Sequence, residues 1–393
     1  MEKDKIRVGV IGCGNISLTY IPNLVNHFND KVHVAAVADL FRPAAEKAAA
    51  SNGIEKVYEV DELIADPDID LIVNLTIPAA HYEINKKALL AGKHAYCEKP
   101  MAETLEQANE LAELAASKGL YCVAAPDTFL GSGIQTVRKL IDDGVIGRVT
   151  GFTANLCQPG NELWHPGAKF MYMKGSGPMM DMGPYYVTAL VSILGPIKQI
   201  ICRCTCPRPV RMINGEPFES EVDTSYNGII EFANGTVGNI FVSADVWQSQ
   251  LPHLEIYGEK GAVWGTDPNM FTGQVKWFDG EAQAKAVTEA EGFENKLMIT
   301  YGPAKAQFLK DVDLGYPNDP DPFLNMRGMG VADLACAILD GRKARLSADM
   351  SRHVVEALTG FKKASDSGQP YVMTTTFERP EAMPAGLKLW EVK

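Results

Sequence analysis

The 393-residue sequence predicts an α/β protein that opens with a doubly wound parallel sheet and continues into a second α/β region rich in antiparallel strands. Three observations predict it. The β-branched run "IRVGVIG" passes at once into a glycine turn and a helix-like segment. Strand-like and helix-like stretches then alternate to about residue 126. Beyond that point strand-forming runs follow one another, two of them joined by the Asn-Gly hairpin signal in "FANGTVG".

The length suits two domains, placed at 1–126 and 127–393. A hydrophobic fraction of 46% with 22% charged residues is ordinary for a globular chain. Thirty-seven basic against 49 acidic residues leave a net charge of −12, which disfavours nucleic acid or an anionic membrane and leaves a small molecule as the expected partner. The start "MEKDKIRVGVIGCGNI" lacks the basic lead and apolar core of a secretory signal, and no run reaches the ~18 apolar residues of a membrane span. A cytoplasmic protein is expected. The eight cysteines are mostly isolated in apolar contexts, as reduced thiols are. The exception, "ICRCTCP", places three on alternate strand positions roughly 7 Å apart, too far to converge on one ion. With no CxxC and no neighbouring histidine, the expectation is a packed face and no metal.

Taking the elements in order, "IRVGVIG" has the make-up of a buried parallel strand, and "GCGNIS" sets Gly12, Gly14 and Ser17 in the G-x-G-x-x-G/A arrangement. Gly12 permits the tight turn, Gly14 lets the backbone approach a pyrophosphate, and small Ser17 allows close helix packing. A helix from Ile16 to Phe28 would then point its N-terminus at the phosphates, with Asn15 and Ile16 among the cofactor-facing residues. The second strand, "VHVAAVAD", ends at Asp39, 25 residues beyond Gly14, where a carboxylate can bind adenosine ribose hydroxyls. Asp39 would repel a 2′-phosphate, favouring NAD over NADP, whereas Arg42 could neutralise one.

The alternation continues through "RPAAEKAAASNG", "KVYE", "DELIADP" and "DLIVNLTIP", then "HYEINKKALLAG", "KHAYCEKP", "TLEQANELAELAASKG" and "LYCVAAP". Ligands of such a sheet sit at the carboxyl ends of its strands. Asn74, Thr76, Pro78 and His81 lie at one end, and Glu98, Lys99 and Pro100 at another, so both loops are expected to face the nicotinamide. Lys99 would project into the cleft from a backbone fixed by Pro100; the bland alternative is a solvated Glu-Lys pair. In "GSGPMMDMGPYYVTAL", Asp181 and Tyr185 stand four apart and would share one helical face, with Met182 and Tyr186 turned away.

"GCGNIS", "TIPAAH", "GKHAYCEKPMAETLEQANEL" and "GSGPMMDMGPYY" resemble, in order, the characteristic segments of the glucose-fructose oxidoreductase and inositol dehydrogenase family (Gfo/Idh/MocA). The resemblance implies an N-terminal NAD(P)-binding domain and a C-terminal α/β domain with a large open sheet, whose outer face is often used for oligomerisation. It also implies catalytic roles for the E-K-P lysine, matching Lys99, and for the acid of a D-x-G-x-H segment, matching Asp181. The sequence departs from that segment at its histidine, where "DMGPY" carries Tyr185, as in the glucose-fructose oxidoreductase branch. A later acid of the inositol dehydrogenase branch is replaced by Thr188.

Oxidising a secondary alcohol needs a base for the hydroxyl proton and a donor to steady the developing alkoxide. A free phenol ionises near pH ~10, so a tyrosine base working near neutrality needs a cation beside it, and Lys99 is the candidate. Tyr185 as base with Lys99 as polariser is one assignment; Lys99 as base is the other. Asp181 would hold the lysine or a substrate hydroxyl. The long loop "CQPGNELWHPGAKFMYMKGSGP" offers Trp164, His165, Phe170 and Tyr172 to a sugar ring or an aryl aglycone, or packs them as a satellite cluster. Two C-terminal helices are expected in "FLNMRGMGVADLACAILDGRKA" and "SADMSRHVVEALTGFKKASDSGQP", with Arg327 read as a structural ion-pair partner rather than a substrate contact. The functional expectation is an oxidoreductase transferring hydride between NAD(P) and a secondary hydroxyl of a sugar, glycoside or cyclitol, active as a dimer or tetramer. Two alternatives stand beside it: a redox-neutral conversion through a transient keto-sugar on retained NAD, and a nucleotide-binding regulatory protein without turnover.

Overall fold

The computed structural model describes residues 4–165, 167–312, 315–319, 321 and 324–393. The first unit alternates strand and helix: β1 (Ile6–Ile11), α1 (Ser17–Asn26), β2 (Val32–Ala38), α2 (Arg42–Asn52), β3 (Lys56–Tyr58), α3 (Val60–Ala65), β4 (Leu71–Asn74), α4 (Pro78–Leu90), β5 (His94–Cys97), α5 (Leu105–Lys118) and β6 (Cys122–Ala124). Local chemistry sets many of the boundaries. α5, for example, begins where the Thr104 hydroxyl accepts the Gln107 amide and ends at left-handed Gly119. β1, β4 and β6 are almost wholly buried and carry the continuous apolar runs of a sheet covered on both faces. The six strands pair in parallel in the order β3-β2-β1-β4-β5-β6, so the chain reverses direction across the sheet between β1 and β4.

The second unit runs α6 (Ser132–Asp142), β7 (Val149–Cys157), α7 (Pro178–Asp181), α8 (Gly183–Leu194), β8 (Ile197–Thr205), β9 (Val210–Ile213), β10 (Glu216–Glu219), β11 (Ser225–Phe232), β12 (Val237–Ser243), β13 (Leu254–Gly258), β14 (Gly261–Trp264) and β15 (Lys276–Asp279). After these come α9 (Gly280–Glu289), α10 (Phe293–Thr300), β16 (Leu309–Asp311), α11 (Met329–Asp340), α12 (Ala348–Ser367) and β17 (Tyr371–Val372). Nine strands form an open sheet in the order β16-β15-β14-β13-β7-β12-β11-β8-β17; every neighbouring pair is antiparallel except β7 with β12. The expected hairpin is present: β11 and β12 are antiparallel neighbours joined across Asn234 and Gly235. The short hairpin β9–β10, the helices α9 and α10, and the edge strands β16 and β17 were not expected from the sequence.

Alternation along β8 and β11 turns one face inward and leaves Ile201 and Ile229, paired across the strands, partly exposed on the other. The inner face packs on α8 and α12. The core is continuous from Val8 and Val10 of β1, through Phe28 and Phe129, to Val187 of α8 and Phe361 of α12. The two units thereby share one core, with α12 packed against α5 and β6 and α11 against β1. The cysteine row differs from the expected packed face in two ways: the Cys202 and Cys204 sulfurs lean to 3.7 Å of each other, and Cys206 lies beyond the end of β8. The acidic, proline-rich "DLGYPNDPDPF" falls partly outside the described residues.

Candidate active site

The crevice opens where the strand order reverses, at the carboxyl ends of β1 and β4. Gly12 has φ +100°, and a Cβ there would lie 2.7–2.8 Å from the backbone of Leu75 and Thr76, so the turn and the β4 exit can meet only at a glycine. A Cβ on exposed Gly14 would meet no atom within 4 Å. Among the described residues, the amides of Gly14, Asn15 and Ile16 donate no hydrogen bond to the protein, while the Ser17 hydroxyl closes the turn on the Gly14 carbonyl at 2.6 Å. Open space, free N–H groups and the positive end of α1 fit a pyrophosphate.

At the end of β2 the Asp39 carboxylate accepts the Cys13 amide at 2.7 Å and the Phe41 amide at 2.8 Å, which fixes it beside the glycine turn. A carboxylate has about four acceptor positions, so capacity for ribose hydroxyls remains. Arg42 departs from the expectation that it could neutralise a 2′-phosphate. Its guanidinium is already bound to Glu46 at 3.1 Å and Glu59 at 2.8 Å.

Three residues expected to face the cofactor instead turn their side chains into the protein. Asn74 donates to Asn85 at 3.1 Å and accepts from the Thr76 hydroxyl at 2.6 Å. Fully buried His81 sets Nδ1 2.7 Å from the Pro100 carbonyl and Nε2 3.0 Å from that of Thr76, clamping the two strand-end loops together. Burial lowers its pKa despite these carbonyls, and a neutral ring donates to only one of them. Glu98 accepts the Tyr20 hydroxyl at 2.7 Å and the Lys99 amide at 3.0 Å. Asn74 and Glu98 find partners on the covering helices, Asn85 of α4 and Tyr20 of α1, while His81 reaches from α4 to the loop carbonyls, so all three groups are occupied within the protein. Pro78, first residue of α4, is exposed, and Thr76 is half-buried at the crevice rim.

Lys99, Asp181 and Tyr185 converge. The lysine Nζ donates to Asp181 Oδ1 at 2.7 Å and to the Asp181 carbonyl at 2.6 Å, and lies 5.5 Å from the Tyr185 ring centroid. Burial opposes the charge on Lys99, but Asp181, Tyr185 and Glu98 outweigh it and raise its pKa, so the ammonium form persists. The geometry differs from a single helical face. Met182 interrupts the helix, leaving Asp181 at the end of the one-turn α7 and Tyr185 in the first turn of α8. The adjacent Tyr186 bonds His253 Nδ1 at 2.8 Å and Asp267 at 3.1 Å. Thr188 is buried within α8.

Arg327 corrects the reading of it as an ion-pair residue. Its Nη2 donates to the Tyr185 hydroxyl at 2.9 Å and to Asn269 Oδ1 at 3.2 Å, and among the described residues no carboxylate lies within salt-bridge distance of it. Arg327 and Asn269 were not singled out as site residues from the sequence. The one local signal is the "NMRGMG" start of α11, where Gly328 takes φ +106° and turns the chain back toward the crevice.

Trp164, His165 and Phe170 form a cluster of edge-on rings, with His165 5.3 Å from Trp164 and 5.7 Å from Phe170. Trp164 is 67% exposed. Tyr172 differs: it is buried, its hydroxyl accepts the Asn161 amide at 3.0 Å and bonds Glu162, and its ring lies under Arg211. Arg211, 2% exposed, ties Glu162 to Asp245, so a buried ion-pair network pins the base of the aromatic loop to the β9–β10 hairpin.

A parallel sheet with an anion-ready glycine turn and an acid at the end of β2 defines a nucleotide-binding oxidoreductase fold. The sequence matches the family model "Oxidoreductase family, NAD-binding Rossmann fold" over residues 6–125 and the "GFO/IDH/MocA C-terminal domain" over 134–264. The chain belongs to the Gfo/Idh/MocA oxidoreductases. D-xylose dehydrogenase of Paenarthrobacter nicotinovorans is 27% identical over 221 residues, which covers 52% of this chain and 56% of that protein, so the match spans about half of that relative's length. A dTDP-3,4-didehydro-2,6-dideoxy-alpha-D-glucose 3-reductase of Saccharopolyspora spinosa is 28% identical over 78% of this chain and 85% of its own. Two solved structures share the fold: levoglucosan dehydrogenase in complex with NADH and L-sorbose (TM-score 0.77, 21% identity, 95% of this chain and 100% of that one) and the aldose-aldose oxidoreductase of Caulobacter crescentus complexed with glycerol (0.73, 19%, 94% and 100%).

Proposed function

We propose that this protein transfers hydride between NAD and a secondary hydroxyl of a sugar, glycoside or cyclitol. The observation that carries the proposal is the convergence of Lys99, Asp181 and Tyr185 beside the crevice that begins at Gly12 and Gly14. The nicotinamide, when bound, supplies the hydride acceptor. Gly14, Asn15 and Ile16 hold the pyrophosphate, Asp39 holds the ribose, and the prior pairing of Arg42 supports NAD over NADP.

Of the two candidate bases, the persistent charge of Lys99 favours Tyr185. Tyr185 takes the hydroxyl proton, and Lys99 donates to the oxygen as negative charge develops there. Asp181 holds the ammonium in place from both its carboxylate and its carbonyl. The Trp164–His165–Phe170 cluster forms an apolar wall for the sugar ring or its aglycone. The partly exposed Ile201, Ile229, Val237 and Trp264 on the nine-stranded sheet support self-association into a dimer or tetramer.

The test is to denature the purified protein, identify any released nucleotide, and screen sugars, glycosides and cyclitols for change in NADH absorbance. Turnover with NAD on one of these classes supports the reading. Released NAD with sugar conversion and no net NADH would move it to the redox-neutral alternative, and neither signal would overturn it.

A further inference from the structure

Arg327 is held before anything else binds. The Asn23 side chain of α1 donates to the carbonyls of Asn325 and Arg327, each at 2.8 Å, and buried Asp127 accepts the amides of Gly328 and Gly330 at 3.0 and 2.9 Å. The guanidinium itself spans Asn325 Oδ1 at 3.0 Å, Asn269 Oδ1 at 3.2 Å and the Tyr185 hydroxyl at 2.9 Å. An arginine keeps its charge throughout the accessible pH range. Of the three side-chain groups it donates to, two are neutral amides, and only the tyrosine can become an anion.

We propose that Arg327 is a positioning residue for the proton-transfer step, which orients the Tyr185 hydroxyl and stabilises its phenolate. The inference rests on the proposed function above and assigns this site a further member. With an N–H of Arg327 on one lone pair of the phenol oxygen, the hydroxyl hydrogen is directed away from the arginine. In the oxidation direction the phenolate of Tyr185 takes the proton of the substrate hydroxyl and becomes the phenol, while a bound NAD⁺ would accept the hydride from the carbon that bears that hydroxyl, leaving a ketone. In the reverse direction the phenol proton passes to the carbonyl oxygen and Arg327 faces the phenolate left behind. A charge-assisted donor is stronger toward an anion than toward a neutral oxygen, so the contact strengthens as the charge forms.

The other charged or titratable groups facing this pair are Lys99 from the β5 exit, Asp181 of α7, Glu98, Tyr20 of α1, and Asp127. Burial opposes the charge of Arg327, and Tyr185, Glu98 and Tyr20 reverse that effect to raise its pKa.

The experiment compares native protein, R327M and R327K, each with and without Y185F, by tyrosinate absorbance against pH. Subtracting the Y185F spectrum isolates Tyr185 and needs no substrate. Tyr185 should ionise at least one pH unit higher in R327M than in the native protein, with R327K between them, while NADH affinity stays within about twofold. The acidic limb of the kcat/KM profile should move by the same amount. If R327M does not fold, R327Q, a neutral donor, carries the same comparison. Coincident titrations in native and charge-neutral variants would overturn the assignment even if sugars are turned over. A shifted titration without turnover on any sugar would uphold it and remove the substrate reading instead.

Discussion

Asp39 carries two separable functions, and substituting it should pull them apart. Its carboxylate is pinned by the Cys13 and Phe41 amides, so it cannot swing away from a 2′-phosphate. Two unit charges ~4 Å apart cost about 1 kcal/mol in water and about 4 kcal/mol at an effective dielectric of ~20. Half-exposed Asp39 lies between these limits, which predicts a preference for NADH over NADPH of roughly 5- to 1000-fold. In D39N the charge is gone but one acceptor oxygen remains, so NADPH should come within about twofold of NADH. In D39A both amides lose their acceptor as well, and NADH itself should weaken by a further ~10-fold or more through loosening of the glycine turn. Equilibrium titration of each nucleotide by fluorescence, at fixed salt, reads both effects. Undiminished rejection of NADPH by D39N and D39A would refute the reasoning and transfer the discrimination to Glu46 and Glu59 around Arg42.

Lys99→Ala and Tyr185→Phe should each lower turnover by ~100-fold or more while NADH affinity is retained, because neither side chain is needed to shape the glycine turn; steady-state rates near native in either variant would remove its proposed role. A pH effect comes from His353, which is buried between α12 and β8. Its Nε2 lies 2.9 Å from the Ile197 amide and Nδ1 2.9 Å from the Thr375 hydroxyl, so the folded state needs the neutral ring. Burial pushes its pKa down to about 4. The unfolded chain takes the proton first, near pH ~6.5, so the contribution is complete above that pH and is lost as pH falls through about 4, an effect of about 3 kcal/mol. Urea unfolding between pH 7 and 4 should show this slope in the native protein and a flatter one in H353Q; parallel slopes would contradict it. Finally, the proposed dimer or tetramer predicts a native mass by light scattering above that of one chain, and Ile229→Lys, opposite Ile201 on the outer sheet face, should lower it without lowering the melting temperature appreciably; a single-chain mass for the native protein would refute the proposed association, and an unchanged mass in the variant would take this face out of it.

Much of the nucleotide side was legible because its signals are local. A strand, two glycines, a helix and an acid within the first 39 residues each follow from backbone sterics and short-range periodicity, and no distant partner is needed to read them. Direction was harder. Asn74 and Glu98 stand at the right strand ends and His81 in the first turn of the helix that follows, but whether such a side chain faces the cleft or the interior depends on what covers it. Tyr20 arrives from 78 residues away to claim Glu98. The aromatic loop shows the same limit, with Tyr172 drawn inward by an arginine on a hairpin that the sequence did not announce.

Arg327 marks the boundary most clearly. By itself the sequence determined the fold class, the glycine turn, and the presence of Lys99, Asp181 and Tyr185 in segments of recognisable kind. Only the tertiary structure set Lys99 between the acid and the phenol, broke the helix at Met182, and brought Arg327 onto a hydroxyl 142 positions earlier. The reason is physical: periodicity and turn chemistry act over a few residues. The partner of a buried polar group is chosen by packing between elements, and that choice appears only when the two units close on each other.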